Sequence, residues 1–293
     1  MRPSRYAVFG LLIATAPSLP AVSADRILVV CPCSVEAYNE ALRGIADTVG
    51  REPTVINPAS KNDPALSEYA LHNAGRIFIA IGREAFNAGL SIKPAIPLIG
   101  TMILHDDAGS AGPAASEIDL DVPPRLLLQE LRRLFPDYVR VGVLVSGNVN
   151  RAALAAAARE SGIQLLEREV GGPADLVKVF LSVKGKVDMV VTLPNTELYN
   201  SATIQPLILA SLESGIPIVG FSAAFVRAGA AAGIFADFRE AGRQAAEAAM
   251  QYDPGRAQQL VEQPRKLTVA VNQRVTRLLG LKYQPGERLV VYK

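Results

Sequence analysis

The side chains able to do covalent or acid–base chemistry are few in this 293-residue chain, and their spacing limits what they can do. Cys31 and Cys33 flank Pro32. Oxidising surroundings favour pairing of two thiols, but a one-residue gap strains a disulfide and a proline in it constrains the backbone further. The spacing is also one residue short of the thioredoxin motif. Cys31 therefore reads as a buried strand residue and Cys33 as a loop thiol close to a cleft, with a redox role left open. Gly220-Phe221-Ser222-Ala223-Ala224 begins like the nucleophile elbow of a hydrolase, but Ala224 stands where a glycine should close it. The two histidines, His72 and His105, both precede Ser222, whereas in that fold the catalytic histidine follows the serine. A hydrolase or transferase using Ser222 or Cys33 thus lacks its base. His105-Asp106-Asp107 has metal-ligating side chains, yet neighbours in an extended segment point to opposite faces, so a solvated loop is expected and no metal. The dinucleotide fingerprint and the P-loop are both absent, and no cofactor is expected.

Positioning elements follow from hydrophobic periodicity. Continuous β-branched runs predict strands at 27–31, 54–57, 77–81 and 98–103, and again at 139–145, 164–169, 189–193, 218–221 and 234–235. Such runs suit strands buried on both faces of a parallel sheet. Helical spacing predicts helices at 35–49, 65–72, 150–161, 174–183, 204–214 and 239–252, with Gly162 and Gly215 placed as C-terminal caps. This alternation is that of a doubly wound α/β architecture.

The pattern occurs twice. Arg26-Ile27-Leu28-Val29-Val30 is echoed by Arg140-Val141-Gly142-Val143-Leu144, and Ile96-Pro97-Leu98-Ile99-Gly100 by Ile216-Pro217-Ile218-Val219-Gly220, at an offset of roughly 110 to 120 positions. Two lobes of like fold are expected, with a boundary in the Ala/Gly/Ser-rich stretch 108–116. The division expected is residues 25–116 plus 258–293 for the first lobe and 117–257 for the second. The last strand (267–271) and helix (273–279) are expected to return to the first lobe.

In such sheets ligands sit at the carboxyl ends of the strands. One lobe would present Cys33, Ser34, Tyr38, Gly82, Arg83, Glu84 and Thr101 there. The other would present Ser146, Asn148, Asn150, Asn195, Thr196, Glu197, Ser222 and Asp237, with Tyr38, Tyr199 and Phe225 as stacking surfaces. Several of these are also ordinary helix caps. Together they suit recognition of a zwitterion or a heterocycle rather than catalysis.

The amino terminus carries an address. Arg2 and Arg5 precede an uncharged apolar run, Pro17 and Pro20 break it, and Val22-Ser23-Ala24 ends it with small residues, the order of a cleavable signal peptide over residues 1–24. A run of about ten apolar residues is too short to cross a hydrocarbon core that needs about twenty. The segment before Cys31 lacks the small residue of a lipidation site. The roughly 270 residues that remain suffice for two domains. Thirty basic against twenty-eight acidic residues leave no electrostatic footprint for nucleic acid.

The second lobe carries a resemblance. Val226-Arg227-Ala228-Gly229-Ala230, then Gly233, then Asp237-Phe238-Arg239-Glu240-Ala241-Gly242-Arg243-Gln244-Ala245-Ala246 strongly resembles the ABC transporter substrate-binding family of type I periplasmic binding proteins. There a Val-Arg-x-Gly string leads to Asp-Tyr-x-x-Leu-Gly-Arg-Gln at the start of a long helix. Residues 264–281 resemble the family's closing segment, and weaker similarity covers 27–281. The resemblance implies two Rossmann-like lobes with parallel sheets joined by a hinge. It implies a periplasmic, monomeric receptor that closes on a small molecule such as an amino acid and delivers it to an inner-membrane ABC permease with its ATPase. A periplasmic sensor that presents the bound state to a receptor or uptake system would use the same fold. Only Asp237 carries over as a ligand contact; Arg243, within the helix, fits a structural role equally well. The chain departs from the family at Thr101-Met102-Ile103-Leu104-His105-Asp106, at Pro194-Asn195-Thr196-Glu197 and at Cys31-Pro32-Cys33, which leaves the solute open.

Overall fold

Short runs of buried aliphatic residues set the strands in the computed structural model, which describes residues 26–58, 64–72, 76–92, 96–104, 115–147, 149–253, 261–286 and 289–293. The first sheet is built from β1 (Ile27–Val30), β2 (Thr54–Ile56), β3 (Ile77–Ile81), β4 (Leu98–Ile103) and β5 (Ala115–Asp119), interleaved with α1 (Glu36–Val49), α2 (Pro64–His72) and α3 (Arg83–Leu90). Every residue of β1, β3 and β4 is buried. Leu28, Val30, Phe78 and Ala80 pack toward α2 and α3, while Ile27, Val29, Ile77 and Ile79 pack toward α1 on the other face. Two covered faces are why these strands read as unbroken apolar runs.

The second sheet begins after α4 (Pro124–Leu134). It takes in β6 (Arg140–Val145), α5 (Arg151–Glu160), β7 (Gln164–Glu169), α6 (Leu176–Leu181), β8 (Met189–Thr192), α7 (Ser201–Ser214), β9 (Ile218–Gly220), α8 (Ala223–Ala228) and β10 (Ala232–Ala236). The chain continues through α9 (Phe238–Met250), β11 (Val261–Glu262), β12 (Leu267–Asn272), α10 (Gln273–Leu278) and β13 (Leu289–Tyr292). The strand orders are β2-β1-β3-β4-β5-β11 and β7-β6-β8-β9-β10-β12-β13. The first five strands of each lobe therefore share the doubly wound order 2-1-3-4-5. The repeated sequence strings fall on equivalent places: one pair on β1 and β6, the first strand of each sheet, the other leading into β4 and β9, the fourth.

The chain passes between the sheets three times, at 120–123, at Asp237 and at 263–266. These crossings correct the expected division. The stretch 108–114 lies outside the described residues, but Ala115 and Ser116 already belong to β5, which pairs in parallel with β4, so the first sheet runs on to Asp119. Helix α9, expected within the second lobe, packs on α1 and against β3 and β4 of the first. Strand β12 was expected to return to the first lobe with the helix after it; it pairs antiparallel with β10 in the second sheet, with β13 beside it. Among the described residues of the closing segment, only β11 joins the first sheet, parallel to β5.

Two helices absent from the sequence reading matter to the site. Helix α4 starts on Pro124, where a proline's missing N–H costs nothing, and buries Leu127, Leu128, Leu131 and Leu134 on one face. Helix α3 starts at Gly82, whose φ of 88° is open to glycine. Helix α7 begins a turn earlier than its apolar spacing suggests, because Asn200 and Thr203 form a reciprocal capping box.

The motif residues that carry the resemblance have structural duties. Asp237 caps α9 by accepting from Glu240 N at 2.9 Å, and its own N–H donates to the Lys266 carbonyl at 3.0 Å, tying two crossings together. Arg239 and Arg243 both donate to Asp47 of α1, at 2.8 and 3.3 Å, and these bonds hold the Asp47 carboxyl below the usual carboxylate range. Gly242 and Gly44 let α9 and α1 touch backbone to backbone: a Cβ on either would overlap the Ala41 or Arg239 carbonyl of the facing helix. Gln244, almost wholly buried, donates to Gln263 O at 3.0 Å and accepts from Arg265 N at 3.1 Å.

Candidate functional site

The carboxyl ends of both sheets face one chamber of about 300 Å³. From the first lobe come Tyr38 on α1, Arg83 at the start of α3, the end of β4 (Met102 to Leu104) and Leu120 after β5. From the second come Leu127 on α4, Thr192 at the end of β8 with Leu193 and Pro194 after it, Phe221 and Ser222 after β9, and the end of β10 (Ile234 to Ala236). Val122 lines it from the first crossing and Phe238 from the start of α9, just after the second. A second recess of about 220 Å³ adjoins it, sharing Leu104 and Pro194 and lined otherwise by Asp121, Ser146, Gly147, Asn195, Thr196 and Glu197. The chamber is apolar and the recess polar.

The backbone is shaped for the chamber. Between Thr101 and Ile103 the β4–β5 register slips by one residue, and the extra residue, Met102, has a φ of 61°. A left-handed conformation in a non-glycine residue costs on the order of 1–3 kcal/mol. The bulge turns the buried Met102 into the lining. Phe221 is braced by Tyr199 and Phe225, with ring centroids 5.7 and 5.1 Å away.

Of the residues expected at the site, Tyr38, Arg83 and Ser222 line the chamber, and Ser146, Asn195 and Thr196 line the recess together with Glu197. The rest are placed otherwise. Asn148 lies outside the described residues, as do His105 and the signal segment. Thr101 is fully buried, and its hydroxyl donates to the Ala241 carbonyl of α9 at 3.4 Å. Asp237 caps α9. Ser34 and Glu84 are exposed. Cys33 is not the free loop thiol expected: it is bonded to Cys31 with Cα atoms 5.1 Å apart, inside the range that disulfides span, so the pair that the one-residue gap was expected to disfavour is formed. Asn150 caps α5, accepting from Ala153 N at 2.9 Å.

Electrostatics here are sparse. Burial, and then the Glu84 carboxylate, push the Tyr38 phenol above its ordinary value, so it stays a neutral donor. Arg83 donates through Nη2 to Leu104 O at 3.4 Å, while its buried Nε has no partner among the described residues. Ser222 caps α8, accepting from Phe225 N at 3.4 Å, which is ordinary capping rather than nucleophile geometry. Sequence reasoning missed the apolar lining: Met102, Leu127, Phe221, Phe235 and Phe238 have the spacing of core residues, and only their place at strand ends distinguishes them.

Tyr199 yields a prediction. Its hydroxyl is buried with no partner among the described residues, and burial raises its pKa. Unpaired buried hydroxyls cost about 1–3 kcal/mol, so Tyr199→Phe should leave stability unchanged or raise it by about 1 kcal/mol at neutral pH. A pKa raised by folding gives stability that is full below the unfolded value of 10.0 and is lost as pH rises through the folded value. Urea unfolding at pH 8 and above pH 10 should show a smaller alkaline loss in Tyr199→Phe than in the parent. An equal loss would mean that Tyr199 does not titrate as its burial requires.

Two lobes of like fold, three crossings and a chamber lined from both sides define a two-lobed solute-binding protein. A family model for ABC transporter substrate binding proteins matches residues 128–292, more than half of the chain, and the chain belongs to that family. No curated protein matches it in sequence. Among solved structures, it is similar to the ligand-free, open form of a substrate-binding protein with adhesive properties from Clostridium difficile, at 16% identity and a TM-score of 0.67, covering 91% of this chain and 98% of that one. An ABC domain in complex with L-Trp from Streptococcus pneumonia aligns at 16% identity and 0.56, covering 88% and 96%. A periplasmic ribose ABC transporter from Conexibacter woesei aligns at 14% and 0.54, covering 87% and 94%. Likeness at these identities is likeness of fold.

Proposed function

We propose that this chain is the solute receptor of an ABC-type importer, exported by the signal segment at residues 1–24 and closing its lobes on a small metabolite of amino-acid size. The observation that carries the reading is the chamber lined from the strand ends of both sheets. A ligand that touches both walls favours the closed arrangement by its contacts with the second wall, and a permease can read that closure. The importer partner rests on family membership. The similar structures name both an L-Trp complex and a ribose transporter, so the scaffold alone selects no solute.

Two measurements test this. In thermal melts against amino acids, purines and organic acids, at least one solute should raise the melting temperature by several degrees, since a solute at a hundred times its Kd adds about 2.7 kcal/mol. A flat panel would argue against a transport receptor. Amino-terminal sequencing of secreted material should begin at Asp25, and an intact Met1 would remove the proposed address.

A further inference from the structure

We propose that the chamber takes a monoanionic solute with an apolar body, an arylalkyl or medium-chain carboxylate, rather than an amino acid zwitterion or a sugar. This narrows the receptor reading above and rests on it.

Charge is the first argument. Among the described residues that line the chamber, Arg83 is the only charged one. Its guanidinium makes one long bond to a backbone carbonyl and lies 5.9 Å from the Phe86 ring centroid. The buried Nε has no partner, and no carboxylate pairs with Arg83 among the described residues. A planar fork of N–H donors held without a counter-ion beside an apolar cavity is matched by a carboxylate, which accepts two parallel bonds from it.

The position of the acids is the second. In an α-amino acid the ammonium and the carboxylate share one carbon, so both need partners within reach of the same atom. Among the described residues, the acids that line either cavity, Asp121 and Glu197, belong to the polar recess beyond Leu104 and Pro194, and Glu84, whose charge reaches Tyr38, is exposed and lines neither. An ammonium bound beside Arg83 would sit next to a cation and against aliphatic walls.

The third is hydroxyl supply. The hydroxyls of the lining are few: Ser222 Oγ already accepts from the α8 backbone and Thr192 donates to Val219 O at 3.4 Å, which leaves the Tyr38 phenol and the Ser222 O–H as donors. A sugar would bury several hydroxyls against Ile234, Phe235, Phe238 and Leu127 with few partners left to meet them. Those walls instead suit a phenyl ring or an alkyl chain, and about 300 Å³ is at the small end of ligand cavities.

Titration calorimetry on the full chain decides it, with 3-phenylpropionate, its neutral amide, L-phenylalanine and D-ribose as probes. The acid should bind at least tenfold more tightly than L-phenylalanine and the amide, and ribose should give no heat. Arg83→Gln should weaken the acid at least tenfold without changing the melting temperature; should that variant fail to fold, the amide removes the charge from the ligand side and decides alone. L-phenylalanine binding as tightly as the acid, or an amide as good as the acid, overturns the proposed class while the receptor reading stands. A folded protein that binds none of the four overturns the class as well, and the broad melting panel then judges the receptor reading separately.

Discussion

Gly242→Ala should destabilise the protein by about 3 kcal/mol, lowering its melting temperature by roughly 6–12 °C. The sign is what makes the result informative. Replacing glycine by alanine inside a helix ordinarily gains about 1 kcal/mol. Here the new methyl would overlap the carbonyl of Ala41 in the facing helix, which is backbone and cannot swing aside. Relief requires α9 and α1 to part, which opens the contacts of Ala241, Ala245 and Ala249 with Ala41 and Ile45 and loosens Arg239 and Arg243 from Asp47. Gly44→Ala attacks the same crossing from the other side, against the Arg239 carbonyl. The two substitutions together should cost less than their sum, because helices already parted have room for a second methyl. Thermal and urea melts of the three variants check this, and a stabilised Gly242→Ala would mean that the helices do not cross at backbone contact.

Gln244→Leu should cost about 2 kcal/mol although it makes a buried residue more apolar. The side-chain amide bridges α9 to the crossing that carries the chain from β11 to β12, through Gln263 O and Arg265 N. Leucine has similar bulk and leaves both groups without that partner. Gln244→Glu should not rescue it: a carboxylate keeps an acceptor for Arg265 N, loses the donor to Gln263 O, and meets Glu262, whose Oε2 lies 3.3 Å from Gln244 Nε2. Urea midpoints of the two variants test the bridge, and a parent-like midpoint for Gln244→Leu would leave the crossing held by other contacts.

These residues show what a sequence makes legible here and what it does not. The Asp237 to Gln244 string is recognisable as a pattern, but its reason is tertiary. Gly242 matters because α1 lies across it, and Gln244 because a segment about twenty residues later bonds to it. Strands buried on both faces were readable because burial writes continuous apolar runs. Their lobe membership was not, since nothing local in 267–272 states that it will pair antiparallel with β10. β5 was hidden behind a linker-like composition and by acids at Glu117 and Asp119 that are unusual in a buried strand. Helix α4 was hidden by Pro123-Pro124, which reads as a break and here begins a helix.

The site divides in the same way. Polar residues at strand ends are conspicuous, and Tyr38, Arg83 and Ser222, with Ser146, Asn195 and Thr196, do come together around two adjoining cavities. Thr101 was read one residue too simply, because the bulge at Met102 sends its neighbour to the chamber and leaves Thr101 against α9. The phenylalanines of the lining look like core because, chemically, they are.

Closure around a solute is the central claim, and small-angle X-ray scattering of the full chain tests it most directly. With a solute that raises the melting temperature present at saturation, the radius of gyration should fall and the distance distribution should lose its longest vectors. A solute that binds and stabilises the protein while leaving both curves unchanged would contradict closure.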